Sequence, residues 1–153
     1  MPDLSARELE LCSQMRTACA CDRLRRTARG LTQVYEGAVG PSGLKATQMP
    51  ILVALGSAGD LPLTTLADAL SLDRTTLTRN LKVLEGRGLV STAPHEDDAR
   101  VRMVSITEDG ARVLGAALER WEGVQRSVEE RFGEARLRAL YAELQALSAA
   151  VGT

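Results

Sequence analysis

The segment from Asp98 to Gly110, which reads DARVRMVSITEDG, constrains the fold of this chain more than any other. Its start lies in a predicted hairpin turn, where the Asp98 carboxylate can hold the Arg100 guanidinium rigid. Thr107 is a good N-cap residue, and the two acids that follow it suit the positive end of a helix dipole. The segment therefore predicts a charged hairpin that leads directly into a long helix.

The composition favours a single helical domain. With 153 residues the chain can bury a core of its own, and because aromatic residues are only 3% of it, that core must be mainly Leu, Ala and Val. No apolar run approaches the length of a membrane span. The acidic start of the chain lacks a basic-then-apolar signal pattern, so we expect a cytoplasmic protein.

Charge is segregated along the chain although the net charge is only −1. The segment 74–87 holds four basic residues against one acid, and the segment 16–29 holds five arginines against one acid. The acids collect in the C-terminal third. A local basic face is sufficient for nucleic-acid binding, so the near-neutral total does not exclude that function.

One long amphipathic helix is predicted from Ser5 to Val39, a stretch without proline. Apolar residues recur there in steps of three and four, which is the helical period. They are Cys21, Leu24, Ala28, Leu31, Tyr35 and Ala38. The Gly-Pro-Ser-Gly sequence at 40–43 ends this helix.

Three short helices are predicted next. The first covers Thr47–Leu55, with its proline in the first turn, and a loop follows at 56–60. The other two cover 63–70 and 74–86, are joined by a tight turn, and the second is capped by Asp73. Two short helices joined in this way form a helix-turn-helix, whose second helix reads DNA.

A hairpin and two further helices complete the chain. Strands at 89–93 and 101–106 frame a polar turn, and helices run from 107 to about 131 and from 134 to 150. Gly133 separates the two helices. The order predicts a mainly α fold with a small β-hairpin wing, that is, a winged helix-turn-helix unit between long flanking helices.

The sequence LADALSLDRTTLTRNLKVLEGRGLV (66–90), followed by DARVRMVSITEDG, resembles the MarR family of bacterial transcription regulators. The resemblance extends over essentially the whole of 1–153 as a single domain. It implies a winged helix-turn-helix unit at about 47–106 and dimerisation helices at about 5–39 and 107–150. It further implies an obligate homodimer that acts on palindromic double-stranded DNA and, in the family's commoner mode, represses transcription. We expect no cofactor and no metal.

The resemblance also assigns roles to individual residues. Arg100, oriented by Asp98, would enter the minor groove, with Arg102 close by on the same face of its strand. The second helix of the pair would offer polar side chains to the major groove and its flanking phosphates. These are Arg74, Thr75, Thr76, Thr78, Arg79 and Lys82. The wing tip itself is acidic, so non-specific phosphate attraction there should be modest.

The three cysteines, Cys12, Cys19 and Cys21, all lie in the first predicted helix. Within an intact helix no pair of them can form a disulfide, although a bridge between subunits remains open. Cys21 lies on the apolar stripe and is expected in the core. Cys19 has Arg16 and Arg23 one turn away, which would favour its reactive thiolate form. We hypothesise that oxidation of Cys19, with Cys12 or Cys21 of the partner subunit as the resolving thiol, releases DNA.

A small molecule bound between the dimerisation helices and the winged unit is the alternative inducer. Tyr35, Met49, Trp121 and Tyr141 could line such a site, although helix packing explains each of them equally well. The only histidine, His95, is expected in an exposed loop.

Two other functions remain as alternatives. One is a thiol redox enzyme that uses the Cys-x-Cys, although the chain lacks a Cys-x-x-Cys and a βαβ pattern. The other is a winged-helix protein used only for contacts with other proteins, which would show no salt-dependent DNA binding.

Overall fold

The computed structural model describes residues 3–152 as a mainly helical chain with a small antiparallel sheet. Over those residues the α-helices are α1 (Ala6–Ala18), α2 (Ala20–Val39), α3 (Met49–Ala58), α4 (Leu63–Ala69), α5 (Arg74–Gly86), α6 (Glu108–Phe132) and α7 (Glu134–Val151). The strands are β1 (Leu61–Pro62), β2 (Val90–Pro94) and β3 (Arg102–Ile106), and a 3₁₀ turn at Gly40–Ser42 follows α2. None of the helices in this part of the chain is long and apolar enough to cross a membrane.

The N-terminal helix is broken, so the prediction of one continuous helix from Ser5 to Val39 is wrong. α1 ends at Ala18, and Cys19 has an extended backbone (φ −68°, ψ 108°) before α2 begins. The Arg23 side chain donates to the carbonyl of Thr17 (Nε···O 2.9 Å), which satisfies one acceptor left open at the end of α1. The apolar stripe starts only at Cys21, beyond the break, and therefore could not reveal it.

The core lies where α3, α4, α5 and α6 meet the sheet. The inner face of α5, predicted to carry Leu77, Leu81 and Leu84, is buried there as expected. The side chains without any exposed surface come from α3, α4, α5, α6 and β3. They are Ile51, Leu52, Leu66, Leu77, Leu84, Val104 and Ala117.

Two predictions in the middle of the chain need correction. The loop expected at 56–60 is mostly helix, because α3 continues through Gly56 to Ala58. A Cβ on Gly56 would lie 3.0 Å from Leu114 Cδ2 of α6, so the glycine allows the two helices to pack closely. The short strand β1 was not predicted, since its two residues are too few to show an alternating pattern. Its Leu61 pairs with Val104 of β3, giving the strand order β1-β3-β2.

The start of α6 is joined to the backbone between α5 and β2 by a dense set of hydrogen bonds. The Thr107 hydroxyl donates to the Gly88 carbonyl (2.6 Å) and accepts from the Gly110 amide (3.0 Å). The Thr107 amide donates to the Leu89 carbonyl (3.1 Å). A Cβ on Gly110 would lie only 2.0 Å from that same Leu89 oxygen. Glycine at 110 is therefore required for this close approach, which explains the Thr-x-x-Gly spacing.

Replacing Gly110 with alanine should destabilise the protein strongly. The new methyl group overlaps a backbone oxygen that cannot move without shifting the base of the wing, so we expect a loss of about 3 kcal/mol or more in unfolding free energy. Gly115 is the matched control, because it lies in the same helix and a Cβ there meets open space. Gly115→Ala should stabilise the protein by up to about 1 kcal/mol. Urea denaturation of both variants tests this, and equal unfolding midpoints would contradict it.

Candidate nucleic-acid interface

Asp73 begins the recognition helix α5 and fixes its first turn. Its carboxylate accepts the Thr76 amide (2.8 Å) and the Thr76 hydroxyl (2.7 Å). These two hydrogen bonds, the side-chain one foremost, lower the pKa of Asp73 below its ordinary value of 3.8. The predicted cap at Asp73 is confirmed. Because the Thr76 hydroxyl is engaged by the cap, it is less available to a ligand than the other polar groups of this helix.

One exposed face of α5 carries most of the predicted DNA-binding residues. The face lies opposite the buried leucines and forms a shallow, open depression. Its lining residues are Arg74, Thr75, Thr78, Arg79 and Lys82. Thr76 is half-buried and does not line it. Asn80, which sequence reasoning missed, lies half-buried beside this face and donates to the Thr76 carbonyl (3.0 Å). No local sequence pattern predicts that Asn80 is partly buried.

The wing presents Arg100 to solvent. Asp98 Oδ1 accepts the Arg100 amide at 3.0 Å, whereas the Arg100 Nε lies 3.7 Å from the same oxygen. Asp98 therefore holds the backbone of this turn more tightly than it holds the guanidinium. The Arg100 side chain is 94% exposed and projects freely from the turn. Arg102, also exposed, lies opposite Pro94 at the start of β3.

His95 closes the same turn and is half-buried rather than exposed as expected. Its amide donates to the Val101 carbonyl (2.8 Å), and its Nδ1 accepts the Asp97 amide (3.2 Å). These contacts draw the imidazole against the turn, which explains its partial burial.

The cysteines lie along α1, α2 and the break between them. All three of these cysteines in the described chain are free; Cys12 and Cys21 are exposed and Cys19 is half-buried. The expectation that Cys21 lies in the core is wrong for this chain, since the first half of α2 extends beyond the core. Cys19 caps both helices, since its amide donates to the Met15 carbonyl (3.3 Å) and its carbonyl accepts the Arg23 amide (3.1 Å). The Arg23 side chain donates to the Thr17 carbonyl.

A cavity of about 470 Å³ opens between α2, α3 and α6. It brings together three of the four predicted pocket residues, Tyr35, Met49 and Trp121, whereas Tyr141 lies outside its lining. The remaining lining residues are Leu31, Thr32, Val39, Ala46, Pro50, Val53 and Leu118. Within residues 3–152 no charged side chain lines this cavity.

The Tyr35 hydroxyl is the most strongly anchored polar group of the cavity wall. It donates to Gln125 Oε1 (2.7 Å), and Gln125 Nε2 donates in turn to Glu129 (2.8 Å). Partial burial raises the pKa of Tyr35, with further contributions from Tyr141 and Glu129. The hydroxyl therefore stays neutral near pH 7, and since its proton is used toward Gln125, it faces other groups as an acceptor.

Comparison with known proteins decides the family. A model of the MarR family matches residues 42–101, which contain α3 to α5 and the start of the wing. The organic hydroperoxide resistance transcriptional regulator of Bacillus subtilis (strain 168) is 30% identical over 99 residues, which are 65% of this chain and 67% of that protein. This chain belongs to the MarR family.

Solved structures agree with that assignment. The M. tuberculosis transcriptional regulator MosR, in complex with DNA, is 39% identical, and the match covers 86% of this chain and 98% of MosR with a TM-score of 0.75. A mutant MarR from E. coli complexed with operator DNA shares the fold at a TM-score of 0.80, with 18% identity and coverage of 88% and 96%. The MarR family comprises DNA-binding transcriptional regulators, and this member is a regulator and not an enzyme.

The cap at the start of α5 should make the stability of this MarR protein depend on pH. Because the pKa of Asp73 is lowered on folding, its ionised cap stabilises the protein above pH 3.8, and this contribution is lost as the pH falls below that value. Asp73→Asn keeps a capping oxygen without a titratable group, whereas Asp73→Ala removes the cap.

We expect Asp73→Ala to lower the melting temperature at pH 7 more than Asp73→Asn does. Below pH 3.8 the melting temperature of the wild type should fall more steeply than that of Asp73→Asn. Thermal unfolding followed by circular dichroism across this range measures both effects. Parallel curves for the two proteins would show that Asp73 does not titrate with folding.

Proposed function

We propose that this chain is a homodimeric repressor that binds palindromic double-stranded DNA, with α5 in the major groove and the wing in the minor groove. The observation that carries this proposal is the exposed basic face of α5, whose Arg74, Arg79 and Lys82 are positioned by a rigid N-cap. Helix N-terminal residues in such units reach base edges, and cations farther along contact phosphates. The DNA complex of MosR, at 39% identity, supports the same role.

The homodimer is proposed from the apolar surface that the single chain leaves uncovered. Within the described residues, α1 buries none of its side chains. The exposed apolar residues on α2 and α7 include Leu24, Leu31, Val34, Leu140, Leu144 and Leu147. Contiguous apolar surface of this kind marks an interaction site, and a second copy provides a matching surface. Such a dimer presents two α5 helices, which fit successive major grooves about 34 Å apart.

The role of the wing is tested by Arg100→Ala. Removal of a side chain that reads the minor groove should weaken operator binding by about 1–3 kcal/mol. The probe is DNA from the region upstream of the protein's own gene, titrated in a gel-shift assay at fixed salt. Arg112→Ala on the solvent face of α6 is the matched control and should leave the affinity unchanged.

Unchanged affinity of Arg100→Ala would remove Arg100 from the interface. Binding by the wild type should also weaken steeply as salt rises, because phosphate contacts release counterions. A wild type without salt-dependent DNA binding would instead favour a winged-helix protein used only for contacts with other proteins.

Thiol oxidation is the first of two signals that we propose for release of DNA. The similarity to an organic hydroperoxide resistance regulator supports this chemistry. Cys19 is half-buried at the break between α1 and α2, where a change in the side chain can alter the angle between two helices. A hydroperoxide would oxidise the Cys19 thiolate to a sulfenic acid and itself be reduced to an alcohol. Cys12 or Cys21 of the partner subunit would then displace water from the sulfenic acid and form a disulfide.

Cys19→Ser tests this route. DNA bound by the wild type should be released on addition of cumene hydroperoxide and rebound after dithiothreitol, whereas DNA bound by Cys19→Ser should remain bound. Non-reducing gels should show a disulfide-linked dimer for the wild type only. If the serine variant releases DNA at the same peroxide concentration as the wild type, Cys19 is not the sensor.

A small uncharged molecule in the cavity between α2, α3 and α6 is the second proposed signal. The cavity walls are apolar, and burial of an unpaired ligand charge there would be costly. The acceptor lone pairs of Tyr35 can receive one hydrogen bond from the ligand. A ligand that moves α2 away from α3 would favour a conformation of the dimer that cannot bind DNA. In that conformation the distance between the two α5 helices no longer matches the distance between successive major grooves.

Two probes of the same size distinguish a neutral from an anionic preference. Benzamide should quench or shift the fluorescence of Trp121, the only tryptophan in the sequence, at concentrations about ten-fold lower than benzoate at pH 7. Tyr35→Phe should weaken benzamide binding because the acceptor oxygen is lost. Tighter binding of benzoate would contradict the proposed ligand class.

A further inference from the structure

Arg87 links the end of the recognition helix to a distant turn. It is the C-cap residue of α5, and its Nη1 donates to the carbonyl of Gly43 at 2.6 Å across 44 positions of sequence. Gly43 has a positive φ of +80°, and a Cβ there would lie 2.8 Å from Arg87 Nη2. The guanidinium therefore closely approaches a residue whose lack of a side chain makes the contact possible.

The turn that holds Gly43 is continuous with the cavity wall. It joins the end of α2 to the start of α3, and the cavity residues Val39 and Ala46 flank it on either side. The Ser42 hydroxyl donates to the Val39 carbonyl (2.7 Å), and the Gly43 amide donates to the Gly40 carbonyl (2.7 Å). Such short local bonds make the turn a compact unit, so a shift at the end of α2 moves the Gly43 carbonyl.

The other end of the link is equally well fixed. The Arg87 amide donates to the Leu84 carbonyl (3.2 Å), and the Leu89 amide donates to that same carbonyl (2.9 Å). Leu84 has no exposed surface and anchors the last turn of α5 in the core. A displacement of the Arg87 guanidinium is therefore transmitted to the C-terminal end of the recognition helix.

Arg87 differs from the other cations of this segment in what its side chain contacts. Arg74, Arg79 and Lys82 line the open face of α5, whereas Arg87 does not line it. Its guanidinium donates to a backbone carbonyl of its own chain. This geometry is that of a structural tie between two elements and not of a phosphate contact.

We propose that Arg87 is a positioning residue that sets the orientation of α5 relative to α2 and thereby transmits changes at the cavity to the DNA-reading helices. This inference rests on the proposed DNA-binding function. It predicts that loss of the Arg87–Gly43 hydrogen bond impairs the specific fit to an operator and leaves general attraction to phosphates intact.

The test compares Arg87→Ala with the wild type and with Arg112→Ala as a matched surface control. Affinities are measured for the upstream fragment and for a random-sequence duplex of the same length, each over a series of salt concentrations. We expect Arg87→Ala to bind the upstream fragment about five-fold more weakly. The effect is small because each subunit of the dimer loses only one exposed hydrogen bond. Its affinity for the random duplex and the slope of affinity against salt should match those of the wild type.

Each other outcome overturns a stated part of the inference. A salt slope reduced by about one unit, with equal losses on both duplexes, would make Arg87 a phosphate contact. Unchanged affinity for the upstream fragment would remove any role in positioning. If the wild type itself binds neither duplex, the proposed DNA-binding function is wrong, a result distinct from failure at Arg87 alone.

A double-mutant cycle separates positioning from a general loss of folding. Gly43→Ala should impair operator binding in the wild type, because its Cβ displaces the guanidinium from its hydrogen bond and its positive φ is strained. In the Arg87→Ala background no guanidinium is left to displace, so the same substitution should cost less. If the fold-changes in operator affinity caused by the two substitutions simply multiply in the double variant, the two residues act independently. Melting temperatures confirm that every variant is folded at the temperature of the binding assay.

Discussion

The close approach of α6 to the Leu89 carbonyl is the constraint on which the rest of the structure depends. At this contact the base of the wing, the end of the recognition helix α5 and the start of the 25-residue helix α6 meet. The Thr107 hydroxyl binds both sides of the junction, so neither side can tilt alone. The orientation of the basic face relative to the body of the protein follows from this one contact together with the tie at Arg87.

Local signals explain what could be predicted from the sequence. The bounds of α5, its Asp73 cap and the start of α6 follow from capping chemistry within a few residues of each terminus. The polar face of α5 follows from the helical period, because its leucines must turn inward. The resemblance to the MarR family added the expectation that the helix-turn-helix and the hairpin form one winged unit. The family assignment confirms this fold.

Features that no periodic pattern of the sequence encodes explain what could not be predicted. The break at Cys19 interrupts a predicted helix without any proline or glycine near that point, and the open carbonyl of Thr17 is satisfied by the side chain of Arg23. The Arg87–Gly43 hydrogen bond joins residues 44 positions apart, which no periodicity connects. Tyr141 was grouped with the cavity on residue type alone, although its helix α7 leaves it outside the lining. None of these three features follows from the hydrophobic period of the sequence.

The absence of any buried residue in α1 among the described residues has a consequence for the folding of the protein. A helix of 13 residues that buries no side chain in its own chain is marginal in water, and the homodimer proposed above is what would order it. Folding of this segment and pairing of two copies are then a single equilibrium, governed by mass action. Dilution would therefore loosen this helix and separate the two copies in one step, so the order of the first 13-residue helix would report the concentration of the protein.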